Sequence, residues 1–276
     1  MQDPSKPIWV NKKPTQELPK LEIEEANFSI FVATPVHSDV SIHYCQALLE
    51  FQQYCFAHKI RAQFQLMKSS LVTMGRNLCV GAFMESNMTH LLFVDSDIDF
   101  QESSIFKMIR SDKDVIAIPY PLKQMIWDKL YEKIKNNEIN SIKDLSTRGY
   151  TYPMKVENEK DINITNGIIE VTHVPTGCLL IKRSVIEKMI AAYPHLRIDQ
   201  PQIINGEDVN KPFVYNFFDT LFDEKNNRYY GEDFAFCKRW TDIGGKCHAY
   251  IMDYITHIGE HQYCGKFIDE LIFPKK

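Results

Sequence analysis

Four apolar residues, Leu91-Leu92-Phe93-Val94, run directly into Asp95-Ser96-Asp97, and this junction constrains the chain more than any other stretch. An apolar run without alternation fits a strand covered on both faces, as in a parallel sheet flanked by helices. The carboxyl end of such a strand borders the crevice where open α/β sheets bind ligands. Two carboxylates at a half-buried edge carry a desolvation penalty that some partner must offset. A divalent cation does so, and oxygen ligands at this spacing suit Mg²⁺ or Mn²⁺, which keep positions open for substrate phosphates. Capping of the following turn by Asp95 and Asp97 is the competing explanation, since Asp favours turns.

The flanking sequence supports such a sheet. Residues 1–27, rich in Pro, Lys and Glu, read as a polar extension. A strand over 28–33 ends at Thr34-Pro35, and residues 39–58 carry Val40, Tyr44, Leu48, Phe51 and Cys55 at helical spacing. Residues 62–67 alternate as a second strand, and 72–86 form a helix with Val72, Leu78, Phe83 and Met84 expected inward. The strand 90–94 follows, then a helix near 102–111 and a strand at 115–118. Strands separated by helices imply a parallel sheet with right-handed crossovers.

The second half is less regular. Residues 124–165, rich in Lys, Glu and Asn, read as a helical insertion, and 168–174 and 178–181 as strands around Pro175-Thr176-Gly177. Ser184 with Glu187 three residues later forms a capping box for a helix running to Ala192. A long loop is expected over 194–212, a strand over 213–218, a helix over 231–243 and a strand over 246–254. The expected organisation is one domain, 28–276, with 28–122 as a nucleotide-binding half and 123–276 as an acceptor and catalytic half.

The net charge of −4 gives no general attraction to nucleic acid. Seven cysteines (45, 55, 79, 178, 237, 247 and 264) are odd in number, form no CxxC pair and sit mostly in apolar stretches, which fits reduced thiols in a cytoplasmic protein. No window is long and apolar enough to cross a bilayer, and the first residues show no apolar signal core.

Neither GxGxxG nor GxxxxGK[ST] occurs, which argues against a dehydrogenase or a P-loop enzyme. Phosphates would then be neutralised by a metal and basic side chains. Arg76, in the helix before the acidic strand, is read as binding a nucleotide diphosphate or as pairing with Asp95. Glu232 and Asp233 open a helix, where the macrodipole favours acids; Asp233 can also take a proton from an acceptor hydroxyl. His257, after a strand and before Ile258-Gly259, is a candidate to complete a metal shell with Asp97, and His261 a weaker one. Trp127, Tyr120 and Tyr150 are candidate sugar platforms, and Lys123 a candidate diphosphate contact.

Together, Ala33-Thr34-Pro35, Arg76-Asn77, Phe93-Val94-Asp95-Ser96-Asp97, Gly177, Glu232-Asp233 and His257-Ile258-Gly259 resemble a GT-A-fold glycosyltransferase. The similarity is closest to a group found in bacteria, phages and large viruses of algae, and it spans residues 28 to about 265. The resemblance implies a Rossmann-like, mostly parallel α/β sheet with helices on both faces and a mixed C-terminal acceptor half. It implies donor contacts from Thr34, Pro35, Arg76, Asp95, Ser96, Thr176 and Gly177, and Mn²⁺ or Mg²⁺ held by Asp97 and His257 with Asp95. Asp233 would be the base of an inverting transfer, assisted by Glu232, with Asp99 as a third acid nearby. The implied partners are a nucleotide-sugar donor, by resemblance a UDP-sugar, and a glycan or glycoconjugate acceptor. A nucleic-acid acceptor is a further alternative, and the expected location is a cytoplasm, a host's where a virus supplies the gene. Two other classes stay open. A nucleotidyltransferase acting on sugar phosphates uses similar paired acids, although Thr34-Pro35-Val36-His37 stands where its Gly-rich basic signature belongs. A non-catalytic nucleotide- or carbohydrate-binding module explains the fold but not Glu232-Asp233.

Overall fold

Alternation within the first long strand decides which helices cover which face of the sheet. In the structure, a computed structural model describing residues 8–9, 28–157, 162–204, 207–209, 211–260 and 263–272, that strand is β1 (Ser29–Val36). Its Phe31 and Ala33 join one buried cluster, its Ile30 and Val32 another. Six further strands complete the sheet: β2 (Arg61–Lys68), β3 (His90–Val94), β4 (Val115–Ala117), β5 (Ile168–Val171), β6 (Cys178–Lys182) and β7 (Cys247–Tyr250). Their order is β2-β1-β3-β6-β4-β7-β5, with β6 and β5 running against the other five.

Helices α1 (Ile42–Ala57) and α3 (Glu102–Arg110) cover the Ile30 face through Tyr44, Phe51 and Phe106. The Phe31 face is covered by α2 (Val72–Glu85), α6 (Arg183–Ala192) and α7 (Glu232–Asp242), through Phe83, Ile186 and Phe236. Two short helices, α4 (Trp127–Lys135) and α5 (Ile142–Thr147), lie between β4 and β5 in sequence. The α/β class expected from the sequence, a mostly parallel Rossmann-type sheet with helices on both faces, is what the structure shows, and the arrangement is consistent with a GT-A-like fold. The two expected halves share this sheet: β6, from the second, is inserted between β3 and β4, from the first.

Several expectations give way to the fold. Phe213–Phe218 is not a strand but a turn-rich segment; Phe217 O accepts from Arg239 Nη1 at 2.8 Å, while Val214 O accepts from the backbone Ile198 N at 2.9 Å. Ser184 does not cap α6, which starts at Arg183; Glu187 instead accepts from Arg183 Nε at 3.1 Å. Val72 is exposed, while Leu78, Phe83 and Met84 face inward as expected. The insertion is only partly helical. The loop 194–212 carries a short hairpin, Gln202–Ile204 with Glu207–Val209. Of the polar extension, only Ile8–Trp9 lies among the described residues, paired in parallel with Leu271–Ile272.

Candidate functional site

Because β6 runs antiparallel, its first residue meets the ends of β3 and β4. Val94 pairs with Cys178, Asp95 N donates to Gly177 O at 3.0 Å, and Ile118 N donates to Cys178 O at 3.0 Å. Asp95, Gly177 and the segment Pro119-Tyr120-Pro121 therefore share one edge. Gly177 is required there: a Cβ would lie 2.9 Å from Tyr120 Cζ and 3.2 Å from Asp95 Oδ2.

Past Asp97 the chain forms a two-residue strand, Ile98–Asp99, that pairs with Ile255–His257; Ile98 stands opposite His257. Ile258 N donates to Asp97 O at 2.7 Å. This pairing carries His257 to Asp97, with Nε2 3.3 Å from Oδ2. The other ring nitrogen, Nδ1, lies 3.0 Å from Pro121 O, a carbonyl that can only accept, so Nδ1 carries a proton and the ring is held with Nε2 toward Asp97. Lys123 Nζ reaches the same Asp97 oxygen at 2.5 Å. Burial works to raise the Asp97 carboxyl, but hydrogen bonds from His257 and Lys123 outweigh it and hold the group at about 2.

Arg76 links the strand end to the second acidic pair. α2 starts at the carboxyl edge of the sheet, and Arg76, 2% exposed, lies in its second turn with its guanidinium 5.5 Å from the Phe93 ring centre. Nη2 donates to Asp95 Oδ2 at 3.0 Å, Nη1 lies 2.9 Å from Oδ1 outside hydrogen-bond alignment, and Nε is 3.7 Å from Glu232 Oε1. Of the two roles read for Arg76, the pairing with Asp95 is present, and the guanidinium lies almost fully buried beneath the acidic edge. Asn77 turns to the other side and holds the 213–219 segment, accepting from Phe218 N at 3.0 Å and donating to Asn216 Oδ1 at 3.0 Å.

α7 brings Glu232-Asp233 to this edge. Burial first, then the neighbouring Glu232 charge, lift the Asp233 carboxyl to about 6, against the lowering effect of the Phe234 N–H, which donates to Oδ1 at 2.7 Å, and of Arg76. Beside it, His173 packs on Phe234 at 4.6 Å and parallel to Tyr230 at 5.9 Å between ring centres. Burial lowers His173 to about 4, so it is a neutral, flat ring near neutral pH.

The other expected residues fall as follows. Thr34 is buried and its hydroxyl is 2.5 Å from Tyr44 OH, so it belongs to the core, while Pro35 is half-buried at the edge. Ser96 is half-buried, its carbonyl accepting from Ser41 N at 2.8 Å; Thr176 is buried beside Gly177. Asp99 is set apart, its charged neighbours being His43 and Glu50. Tyr120 packs edge-on against His257 at 4.8 Å and Tyr150 is buried, so neither is an open platform; Trp127 is exposed. His261 lies outside the described residues. The sequence reading missed His173 altogether; aromatic Tyr230 and Phe234 flanking Gly231-Glu232-Asp233 were the available signal.

Asp95, Asp97 and His257 do not form the three-ligand set expected from the resemblance: among the described residues no three His, Cys, Asp or Glu side chains come together as a metal cage. Asp95 is paired with Arg76 instead. Asp97 and His257 Nε2 remain, a carboxylate and an imidazole nitrogen that would fit Mn²⁺, and Mg²⁺ less well, when substrate phosphates supply the other ligands and the metal replaces the proton on Nε2. A hollow of ≈ 710 Å³ lined by Asp112, Lys113, Trp240 and His248 lies at the opposite edge of the sheet and is no part of this cluster.

No protein-family model matches the chain, and no curated protein does. Among solved structures, the chain is similar to A197 from STIV, with 16% identity and a TM-score of 0.44 over 84% of this chain and 86% of that one. It is also similar to a glycosyltransferase involved in the glycosylation of the major capsid of PBCV-1, with 10% identity and a TM-score of 0.31 over 60% and 66%. A third likeness is to 4-diphosphocytidyl-2C-methyl-D-erythritol synthase from Anaerococcus prevotii, with 7% identity and a TM-score of 0.30 over 62% and 78%. With every TM-score below 0.5, these likenesses carry no functional argument.

Proposed function

We propose that the chain is a metal-dependent glycosyltransferase that moves a sugar from a nucleotide diphosphate sugar, a UDP-sugar in the first instance, to a hydroxyl of a glycan or glycoconjugate. The observation that supports this reading best is the Arg76 bridge: one buried cation joins the acid at the end of β3 to the acidic start of α7. A non-catalytic binding module gives no reason to place a carboxyl raised to about 6 at such a junction.

In this reading Asp97 and His257 Nε2 would hold Mn²⁺ or Mg²⁺, which would supply positive charge for the leaving diphosphate. Lys123, already on Asp97, adds a second positive charge on the phosphate side. Asp233 is mostly ionised at neutral pH yet basic enough to accept a proton. It takes that proton from the acceptor hydroxyl while the oxygen attacks the anomeric carbon. The bond to the diphosphate breaks on the opposite face, which inverts the centre. His173, Tyr230 and Phe234 offer apolar ring faces beside Asp233 for an acceptor sugar. Arg76 acts as a positioning residue for Asp95 and Glu232.

A panel of nucleotide sugars incubated with Mn²⁺ tests the proposal. Release of nucleoside diphosphate from one donor, lost on chelation, is expected. Release of pyrophosphate from a sugar phosphate and a nucleoside triphosphate would replace the reading with a nucleotidyltransferase.

A further inference from the structure

We infer that the hollow between α4 and α5 binds an aliphatic chain carried by the acceptor. The inference rests on the transfer reading and names its acceptor class, an amphiphile with a hydroxyl-bearing head. In α4, Trp127, Leu130, Tyr131 and Ile134 follow the i, i+3, i+4, i+7 spacing of a stripe that ordinarily packs inward. Only Leu130 of the four is buried; Trp127 is 71% exposed and Tyr131 64%. Across from them α5 presents Ile142, 84% exposed, and Leu145. An exposed apolar group of this size marks an interaction site rather than an ordinary surface.

Shape and chemistry select the occupant. The side chains line an open hollow of ≈ 590 Å³, within the usual range for sites that take one small molecule, and apart from Asp128 and Ser146 they are apolar or aromatic. Such a lining has no array of donors or cations for phosphate, carboxylate or a polar sugar. It favours an apolar chain, with Trp127 and Tyr131 as rigid contacts at the rim.

Position selects the acceptor as the bearer of that chain. Pro121 holds His257 and Lys123 holds Asp97; Met125, two residues on, lines the hollow. Two residues span at most ~7 Å. The segment is pinned by Leu122 N to Thr151 O and Ile126 N to Gly149 O, both at 2.8 Å. Gly149 lets the backbone lie against Leu130: its φ is +96°, and a Cβ there would be 3.3 Å from Leu130 Cβ. A chain lying in the hollow would thus leave its polar head toward the Lys123 and Asp97 end of the proposed site.

The test is a titration of the full chain with methyl, octyl, decyl and dodecyl glucosides, each below its micelle-forming concentration. Trp127 emission is followed, with Trp127→Phe to isolate its signal. Affinity is expected to rise about threefold to fourfold per added methylene from octyl to dodecyl. Methyl glucoside should give no emission change, Ile142→Glu should weaken dodecyl binding by roughly tenfold or more, and Asp233→Asn should bind like the wild type. Binding that ignores chain length, or that survives Ile142→Glu unchanged, overturns the inference. So does pelleting with phosphatidylcholine vesicles without any response to short-chain glucosides, which would put a lipid surface there. So do concentration-dependent dimers broken by Ile142→Glu, which would put a second copy there. Chain-length-dependent binding without transfer from any donor would leave the chain site standing and remove the transfer reading; transfer with no chain dependence would do the reverse.

Discussion

Asp233→Asn is expected to stabilise the fold and to abolish transfer at the same time. The Asp233 carboxyl is lifted from an ordinary 3.8 to about 6 by burial and by Glu232. At ~1.4 kcal/mol per pH unit, its anion is therefore about 3 kcal/mol less stable in the folded chain than in the unfolded one. Asn has the same shape, carries no charge and can still accept the Phe234 N–H, so it escapes that penalty. The sign follows from proton counts. Between roughly pH 4 and 6 the folded chain holds a proton that the unfolded chain has lost, so stability falls as pH rises through this window. Above it the full penalty applies, and below it none does. Urea unfolding of both proteins should show Asn ahead by about 3 kcal/mol at pH 8, by about half of that at pH 5, and by almost nothing below pH 4. A difference independent of pH, or an Asn variant less stable at pH 8, would refute the argument from burial. In parallel, transfer should drop by ~10²–10⁴-fold with nucleotide binding retained, and the wild-type rate should rise with pH through about 6.

Three further outcomes follow from the same geometry. Asp97→Ala should lose Mn²⁺-dependent binding of UDP by calorimetry while keeping its thermal unfolding profile close to wild type, because Asp97 lies at the half-exposed rim. Arg76→Met leaves Asp95 and Glu232 without their shared cation and should destabilise the chain by about 3–5 kcal/mol in urea; Asp95→Asn in the same chain should recover part of that loss. Asn77→Ala removes the acceptor of the Phe218 N–H, which should cost about 1–3 kcal/mol. It should also raise amide hydrogen exchange over 213–219 without raising it in β3.

The sequence by itself determined the sheet and its acidic edge. Leu91–Val94 is apolar at every position because both faces are covered, and a run of that kind is visible in one dimension. Asp95 at its end, and Glu232-Asp233 opening a helix, are equally local signals. Tertiary structure alone decided which partners these acids have. Arg76 lies 19 residues before Asp95 in the chain, yet it spans Asp95 and Glu232 because α2 and α7 both begin at the carboxyl edge. That contact gives Asp95 a cation partner from the protein itself. His257 meets Asp97 only through a strand register, Ile98 opposite His257, and Lys123 only because the chain after β4 turns back over the site. Phe213–Phe218 misled the reading for the same reason: burial against α2 and α7 makes the segment apolar without making it a strand. Spacing along a chain records how a residue faces its own element, whereas ion pairs and proton affinities depend on which elements the sheet order brings together.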